Sequence, residues 1–375
     1  MLICPGGLEH GGGIGRQMGY FLQAHGLKGI GPNYRVVDSR GPWFLGASPF
    51  CIVLALCYFV GAAFEFLKAR VSSKQYLIHA NITGRGSTLR KVILLAFARA
   101  IGFRYLLHIH DYNYAEEYTR RGVLMRGLIA LTFRRAAKVL TLGKRDMETL
   151  AQLLGLRRQQ MEVLHNAVPD PVQEGTSKRS AKGSCHILFL GHLSARKGVP
   201  ELLRALAGPE LLACRWHATL AGGGPIAEFR HLADRLGVGD RVDFPGWLDA
   251  SDVQALCAGA DILVLPSHAE GLAMAVLEGL ANGLAVITTP VGAHPEVIEP
   301  EVSGLLIAPG DVEALSCALI RVIEDKALRE RLSTGARRRF LERFNIDSYA
   351  VRLSLLHAGI LADSRDVWSE RSKLA

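Results

Sequence analysis

Two carboxylates eight residues apart, a basic pair upstream and a set of glycines between them are the residues of this chain best suited to chemistry. Glu270 lies in the run Pro266-Ser267-His268-Ala269-Glu270-Gly271, which follows an apolar strand expected over 260–265. Glu278 lies in the apolar helix pattern that comes next and stops at Gly283. First-turn amides of a helix have no internal partner, so a strand, loop and helix start form a ready site for an anion. The backbone amides of Gly271, Leu272 and Ala273 fall at that start. Neither glutamate suits an anion, and both are fitted to accept hydrogen bonds from hydroxyls. Anion plus polyol is the chemistry of a nucleotide sugar. Two glutamates around a helix start also occur where nothing binds.

Upstream, the apolar strand 187–190 runs into Gly191-His192-Leu193-Ser194-Ala195-Arg196-Lys197-Gly198, with a helix expected to start near Pro200. Proline suits a first helical turn and glycine a sharp backbone turn. Arg196 and Lys197 at the mouth of a parallel strand are placed to neutralise a diphosphate without a metal; a solvated basic pair on a loop is the competing reading. No DxD or HExxH motif occurs, and we expect neither metal nor cofactor.

With Arg196-Lys197-Gly198, Glu270-Gly271, Glu278, Gly283 and Pro295-Glu296-Val297 in this order and spacing, the chain resembles family 4 of the retaining, nucleotide-sugar-dependent glycosyltransferases. The resemblance extends over nearly the whole chain and implies the two-domain GT-B fold. In the first half, His79, Gly86-Ser87, Arg90-Lys91 and His108-Ile109-His110-Asp111 further resemble members that build cell-surface polysaccharides and exopolysaccharides. The resemblance implies that His110, Arg196, Lys197 and Glu270 are catalytic, with His110 and Glu270 on the transferred sugar and the basic pair on the diphosphate. Glu278 would hold the ribose, Gly246 and Trp247 would lie near the base, and the loop of Gly12 and Gly13 would close over the ligands. One departure stands out: the residue after Gly191 is His192 where the family often has arginine, which removes part of the expected electrostatic clamp.

These residues need a frame. Short apolar runs alternate with helical patterns throughout, the signature of parallel sheets with right-handed crossovers. Strands are expected near 1–4, 35–38, 75–80, 105–109, 138–142 and 161–164, then near 186–190, 216–221, 242–244, 261–265, 284–288 and 304–308. The fold class is therefore α/β, two doubly wound Rossmann-like domains facing across a cleft. Boundaries are expected at 1–170 for an acceptor-side domain, 171–184 for a Pro-, Ser- and Gly-containing linker, and 185–344 for a nucleotide-sugar domain. The remainder, 345–375, is expected to return to the first domain. The glycine-rich loop Gly11 to Gly15 fails as a dinucleotide fingerprint because Met18 stands where the third glycine belongs. The leading strand looks cut short, as though the start lacked a few residues.

Composition narrows the function. Of 375 residues, 49% are hydrophobic, enough for two cores, and seven scattered cysteines without a CxxC pair argue for free thiols in a reducing compartment. The start Met-Leu-Ile-Cys-Pro has no signal-peptide pattern, so a cytoplasmic protein is expected. Residues 1–180 carry 24 Lys and Arg against 11 Asp and Glu, while the remainder carries 20 against 24. No basic-aromatic interleaving supports nucleic acid as partner. An anionic membrane surface or an anionic, polyprenyl-diphosphate-linked acceptor fits better, with clusters at Arg85/Arg90/Lys91, Arg120/Arg121/Arg126 and Arg134/Arg135/Lys138 facing headgroups. Residues 41–64 hold no charge and are long enough to span a bilayer. Their place between two expected strands argues instead for a buried crossover helix over 50–68 that dips an edge into the membrane interface.

The function expected is transfer of a sugar from a nucleotide-diphosphate donor to a glycan or lipid-linked acceptor in polysaccharide biosynthesis. Two alternatives remain open at this point: a non-catalytic nucleotide-sugar-binding partner of a synthase, and a nucleotide-sugar epimerase of the same fold. A hydrolase would place two carboxylates across the scissile bond, whereas both glutamates here serve the donor side.

Overall fold

The computed structural model describes residues 1–4, 8, 12–29, 31–41, 49–72, 74–84, 86–171 and 183–372. The chain divides into two compact units, Met1–His165 with Ile346–Ala375, and Asn166–Asn345. Residues 172–182, most of the expected linker, lie outside the described residues, as do Arg85 and residues 5–7 and 9–11 of the glycine-rich loop.

The first unit is built on a six-stranded parallel sheet of β1 (Leu2–Cys4), β2 (Val36–Asp38), β3 (Leu77–Ile82), β4 (Arg104–Ile109), β5 (Val139–Thr141) and β6 (Met161–Val163). Their order is β2-β1-β3-β4-β5-β6. β3 and β4 pair over all six residues, from Leu77 with Arg104 to Ile82 with Ile109. Every residue of β3 is buried, His79 and Asn81 included, because a parallel sheet is covered on both faces. Right-handed crossovers put α1 (Gly12–Lys28), which returns to an outer strand, on one face. They put α2 (Pro49–Val71), α3 (Gly86–Ala100) and the helix Val123–Arg134 on the other. The C-terminal helix Ile346–Ser372 packs on α1 and β3. His25 Nδ1 meets Ser354 Oγ at 3.1 Å, Tyr34 Oη meets His357 Nδ1 at 2.8 Å, and the Arg104 guanidinium donates to the Ile360 carbonyl at 2.8 Å.

The second unit repeats the plan with β7 (Cys185–Leu190), β8 (Trp216–Ala221), β9 (Val242–Gly246), β10 (Ile262–Leu265), β11 (Ala285–Thr288) and β12 (Gly304–Leu306). Their order is β12-β11-β10-β7-β8-β9, again all parallel. The expected α/β class is therefore the observed one, with every expected strand present and its ends moved by no more than two residues. From β7 the chain moves outward to β8, while β10 lies on the other side of β7. Loops leaving β7 and β10 thus diverge to opposite faces and open a crevice at their C-terminal ends, where open α/β sheets bind ligands.

Two surface expectations need correction. α2 is longer than 50–68 and is not a buried helix: Ala62, Phe66 and Ala69 enter the core, but Ile52, Val53, Leu56, Val60, Phe64, Leu67 and Val71 are exposed. Its window Ile52–Val71 is apolar enough to cross a membrane by composition, yet its inner stripe packs in the core cluster with Ile78, Val92 and Phe103. Lys91, expected among headgroup-facing cations, is fully buried with Nζ donating to Ser87 Oγ at 2.6 Å. The amphipathic register of α3 turns Lys91, Val92 and Leu95 inward together, and burial pushes the Lys91 ammonium pKa down to about 7.

Candidate donor-binding site

In the second unit the crevice between β7 and β10 gathers the basic pair and the first glutamate. Gly198 has φ +72°, and a Cβ there would overlap the Pro266 carbonyl, so only glycine lets the β7 loop lie against the β10 loop. The His268 amide donates to the Arg196 carbonyl at 2.8 Å and ties the two loops together. At this junction Lys197 Nζ lies 2.6 Å from Glu270 Oε1, and Arg196 Nη1 lies 3.3 Å from the same oxygen. Arg196 also donates to the Ala269 carbonyl at 2.5 Å. The Lys197 and Glu270 side chains are only 13% and 9% exposed, so the ion pair is weakly screened and holds its geometry. Both cations converge on Oε1.

Gly271, Leu272 and Ala273 run from this carboxylate to the helix Met274–Ala281. That loop is held from below by His294, which the sequence reading passed over. The Ala273 amide donates to His294 Nε2 at 3.4 Å, and the Ala293 amide donates to the Gly271 carbonyl at 2.8 Å. His294 Nδ1 lies 3.1 Å from the Thr289 carbonyl and 3.1 Å from Thr288 Oγ1, whose own proton goes to the Leu265 carbonyl. These partners fix the proton on Nδ1, and burial pushes the imidazole pKa down to about 4, so His294 is neutral. The Ala273 amide is therefore engaged by the protein, and the anion-facing role expected for residues 271–273 rests on the amides of Gly271 and Leu272. The Leu272 carbonyl accepts from Asn166 Nδ2 at 3.3 Å. The only textual cue for His294 is its place beside Pro295-Glu296-Val297.

Glu278 lies one helical turn inside Met274–Ala281 and is partly buried. It stands near enough to Cys257 to help push that thiol's pKa up, after burial itself. The helix ends at Asn282 and Gly283, with Gly283 at φ +61°. Beyond β9, Gly246 accepts from the Gly222 amide at 2.8 Å, and a Cβ on Gly222 would overlap the Gly191 carbonyl. The loops after β7, β8 and β9 therefore abut through their backbones. Trp247 is exposed, a free aromatic face beside this junction. His192 is exposed too.

The remaining expected residues belong to the first unit. Gly12 and Gly13 open α1 and are exposed. His110 follows β4, and its Nε2 meets Asn81 Oδ1 at 2.9 Å. Asn81 Nδ2 donates to the Ile3 carbonyl at 3.3 Å, which fixes Oδ1 as acceptor and His110 Nε2 as donor. Burial, with His108 and Lys91 adding to it, holds the His110 pKa well below the usual histidine range. A neutral ring protonated on Nε2 presents Nδ1 as a hydrogen-bond acceptor. Asp111 does not orient this ring: its carboxylate accepts from the Gly84 and Asn113 amides, joining the loops after β3 and β4.

Residues 175–339 match the family model for glycosyl transferases group 1. The chain is 31% identical over 239 residues to the lipopolysaccharide core biosynthesis glycosyltransferase LpsD of Rhizobium meliloti, covering 62% of this chain and 64% of that protein. It is 32% identical over 167 residues to a glycosyltransferase of Methanocaldococcus jannaschii, covering 44% and 42%. The chain thus spans less than two thirds of either relative. Among solved structures, sucrose-phosphate synthase from Thermosynechococcus elongatus shares the fold with a TM-score of 0.76 at 20% identity, over 96% of this chain and 98% of that one. Anabaena HepE, solved in complex with UDP, does so with a TM-score of 0.72 at 18% identity, over 95% and 98%. The unit that carries Arg196, Lys197, Glu270 and Glu278 therefore matches the glycosyl transferases group 1 family model, on a chain with the GT-B architecture of two doubly wound parallel sheets.

Proposed function

We propose that the protein transfers a sugar from a nucleoside-diphosphate sugar to a glycan or polyprenyl-diphosphate-linked oligosaccharide, with retention at the anomeric carbon, at the cytoplasmic face of a membrane. The observation that carries this reading is the convergence of Arg196 and Lys197 on one oxygen of Glu270 at the β7–β10 crevice. Cleavage at the anomeric carbon leaves the bonding electron pair on a diphosphate oxygen. That leaving group needs no proton, but its growing charge needs fixed positive partners. Two cations already held in place supply them without reorganisation, and the amides of Gly271 and Leu272 add dipoles; no metal is called for. Single preorganised donors of this kind are worth about 2.7–4 kcal/mol in the transition state.

The other residues divide the substrate. Glu270 Oε2 accepts from a hydroxyl of the transferred sugar while Oε1 positions the cations. Glu278 holds the ribose, and Gly246 and Trp247 flank the base. His110 Nδ1, kept unprotonated by burial, accepts a sugar hydroxyl, and Gly12 and Gly13 offer backbone close to the ligand. The acceptor oxygen forms the new bond to the anomeric carbon on the face the diphosphate leaves, and its proton passes to a phosphate oxygen. Support comes from the group 1 family match, from HepE, which is solved with UDP, and from LpsD, which is named for lipopolysaccharide core synthesis.

The test is release of nucleoside diphosphate from a donor panel with a bacterial lipid extract as acceptor. Lys197→Ala is expected to cut turnover about 10²–10³-fold. Unchanged turnover in both Lys197→Ala and Glu278→Ala would overturn the reading. Conversion of the donor to its epimer without acceptor would assign the epimerase instead.

A further inference from the structure

The first unit exposes an apolar surface that its own fold does not explain. α2, α3 and the helix Val123–Arg134 lie side by side on one face of the sheet, α3 in the middle. Each buries one stripe and turns a second apolar stripe outward. On α2 the outward stripe is Val53, Leu56, Val60, Phe64, Leu67 and Val71, at helical spacing. On α3 it is Leu89 and Ile93, and on the third helix Val123, Leu124, Leu128 and Leu131. Val60 is 57%, Ile93 50% and Leu124 80% exposed. Scattered exposed leucines need no cause, but three adjacent helices with aligned outward stripes make a continuous patch of the kind that marks a docking surface.

Charge selects the occupant. The three helices carry a single carboxylate, Glu65, which is itself paired with Arg35 and Lys68. Against it stand Lys68, Arg70, Arg90, Arg99, Arg126 and Arg134, with Lys91 turned inward. All three helices run the same way, antiparallel to the strands they follow, so Lys68 and Arg70, Arg99 and Arg134 fall in their last turns along one edge of the patch. A second copy of this surface would set one net-positive face against another. An anionic lipid surface offers hydrocarbon for the stripes and phosphate for the edge. A membrane-spanning α2 is excluded by its inner stripe, since Ala62, Phe66 and Ala69 cannot face the protein core and lipid at once.

We infer that this three-helix face beds in the interface of an anionic bilayer, with the stripes of α2, α3 and the helix Val123–Arg134 among the acyl chains and the basic edge among the headgroups. The inference deepens the proposed lipid-linked acceptor, because it brings the enzyme to the surface where such an acceptor resides. It is testable without donor or acceptor.

The test is flotation of the full chain with vesicles of phosphatidylcholine containing 30 mole per cent phosphatidylglycerol, as a probe composition of about physiological charge. The wild type floats with these vesicles, binds pure phosphatidylcholine at least tenfold more weakly, and loses affinity as salt rises. The triple variant Val60→Glu, Ile93→Glu, Leu124→Glu binds the anionic vesicles at least tenfold more weakly while keeping its unfolding midpoint. Since the three sites are solvent-facing, Val60→Ser, Ile93→Ser, Leu124→Ser serves as the milder second variant, with an intermediate loss. Wild type that stays in the supernatant at low salt overturns the inference, whatever its transferase activity. So does a glutamate variant that floats like wild type. A wild-type dimer that the glutamate variant converts to monomer, with no vesicle binding by either, would assign the face to a second copy.

Discussion

His294 shows how the site depends on a residue that holds the Glu270 loop from behind. Its Nε2 accepts from the Ala273 amide and its Nδ1 proton goes to the end of β11, so the loop carrying Glu270 is pinned to the sheet. His294→Ala opens a cavity and leaves the Ala273 amide without that partner, a cost of about 1–3 kcal/mol for a buried group left unmade, while the Thr289 carbonyl keeps its bond from the Val291 amide. The expected outcome is a lower unfolding midpoint together with a higher donor KM; His294→Gln, which keeps an acceptor, recovers part of both. An unchanged KM in His294→Ala would show that the loop is held by other means. The sequence supplied Lys197 and Glu270 as separate cues but not their contact. They stand seventy-three positions apart in the chain, and only the neighbouring positions of β7 and β10 in the sheet bring them together. His294 was illegible for a related reason: its role is made by two strand ends, not by its own neighbours in sequence.

At the scale of elements, strands were the most legible part, because parallel strands buried on both faces read as unbroken apolar runs closed by glycine or a polar turn. α2 was misjudged because its sequence is apolar all round, and composition alone does not say which stripe meets the core. The packing of the C-terminal helix has a pH signature that only the structure supplies. His79 Nδ1 meets His357 Nε2 at 3.0 Å, and His79, His108 and His110 continue the row across β3 and β4, with the rings of His108 and His110 4.0 Å apart. Burial holds all four neutral, lowering His108 and His357 to about 3 and His79 and His110 well below the usual range. In the unfolded chain these groups take up protons near pH 6.5. Between about pH 6.5 and 3 the unfolded state therefore binds more protons, so stability is full above this window and is lost as pH falls through it. Each group contributes up to about 1.4 kcal/mol per pH unit. Urea unfolding at pH 7.5 and pH 5.0 should differ by about 2 kcal/mol or more, with a shallower dependence in His108→Leu. Equal stability at the two pH values would contradict the buried, neutral row.

At the scale of the molecule, chemistry and charge are divided between the two units. The second holds the basic pair, both glutamates and the family match, and carries a slight acidic excess in its sequence region. The first is strongly basic and presents the apolar three-helix face. This division was readable from charge counts alone, whereas the identity of the sugar, base and acceptor was not, because those depend on side chains from several loops. The account stands or falls on a nucleoside diphosphate binding at Arg196, Lys197 and Glu270. Its most direct test is the unfolding midpoint of the wild type and of Lys197→Ala with uridine, guanosine and adenosine diphosphates and their sugars. A ligand that binds only the folded state adds about 2.7 kcal/mol at a hundred times its Kd. The account predicts that one base raises the wild-type midpoint and that the same ligand leaves Lys197→Ala nearly unmoved. No shift with any of them, or an equal shift in both proteins, would contradict it.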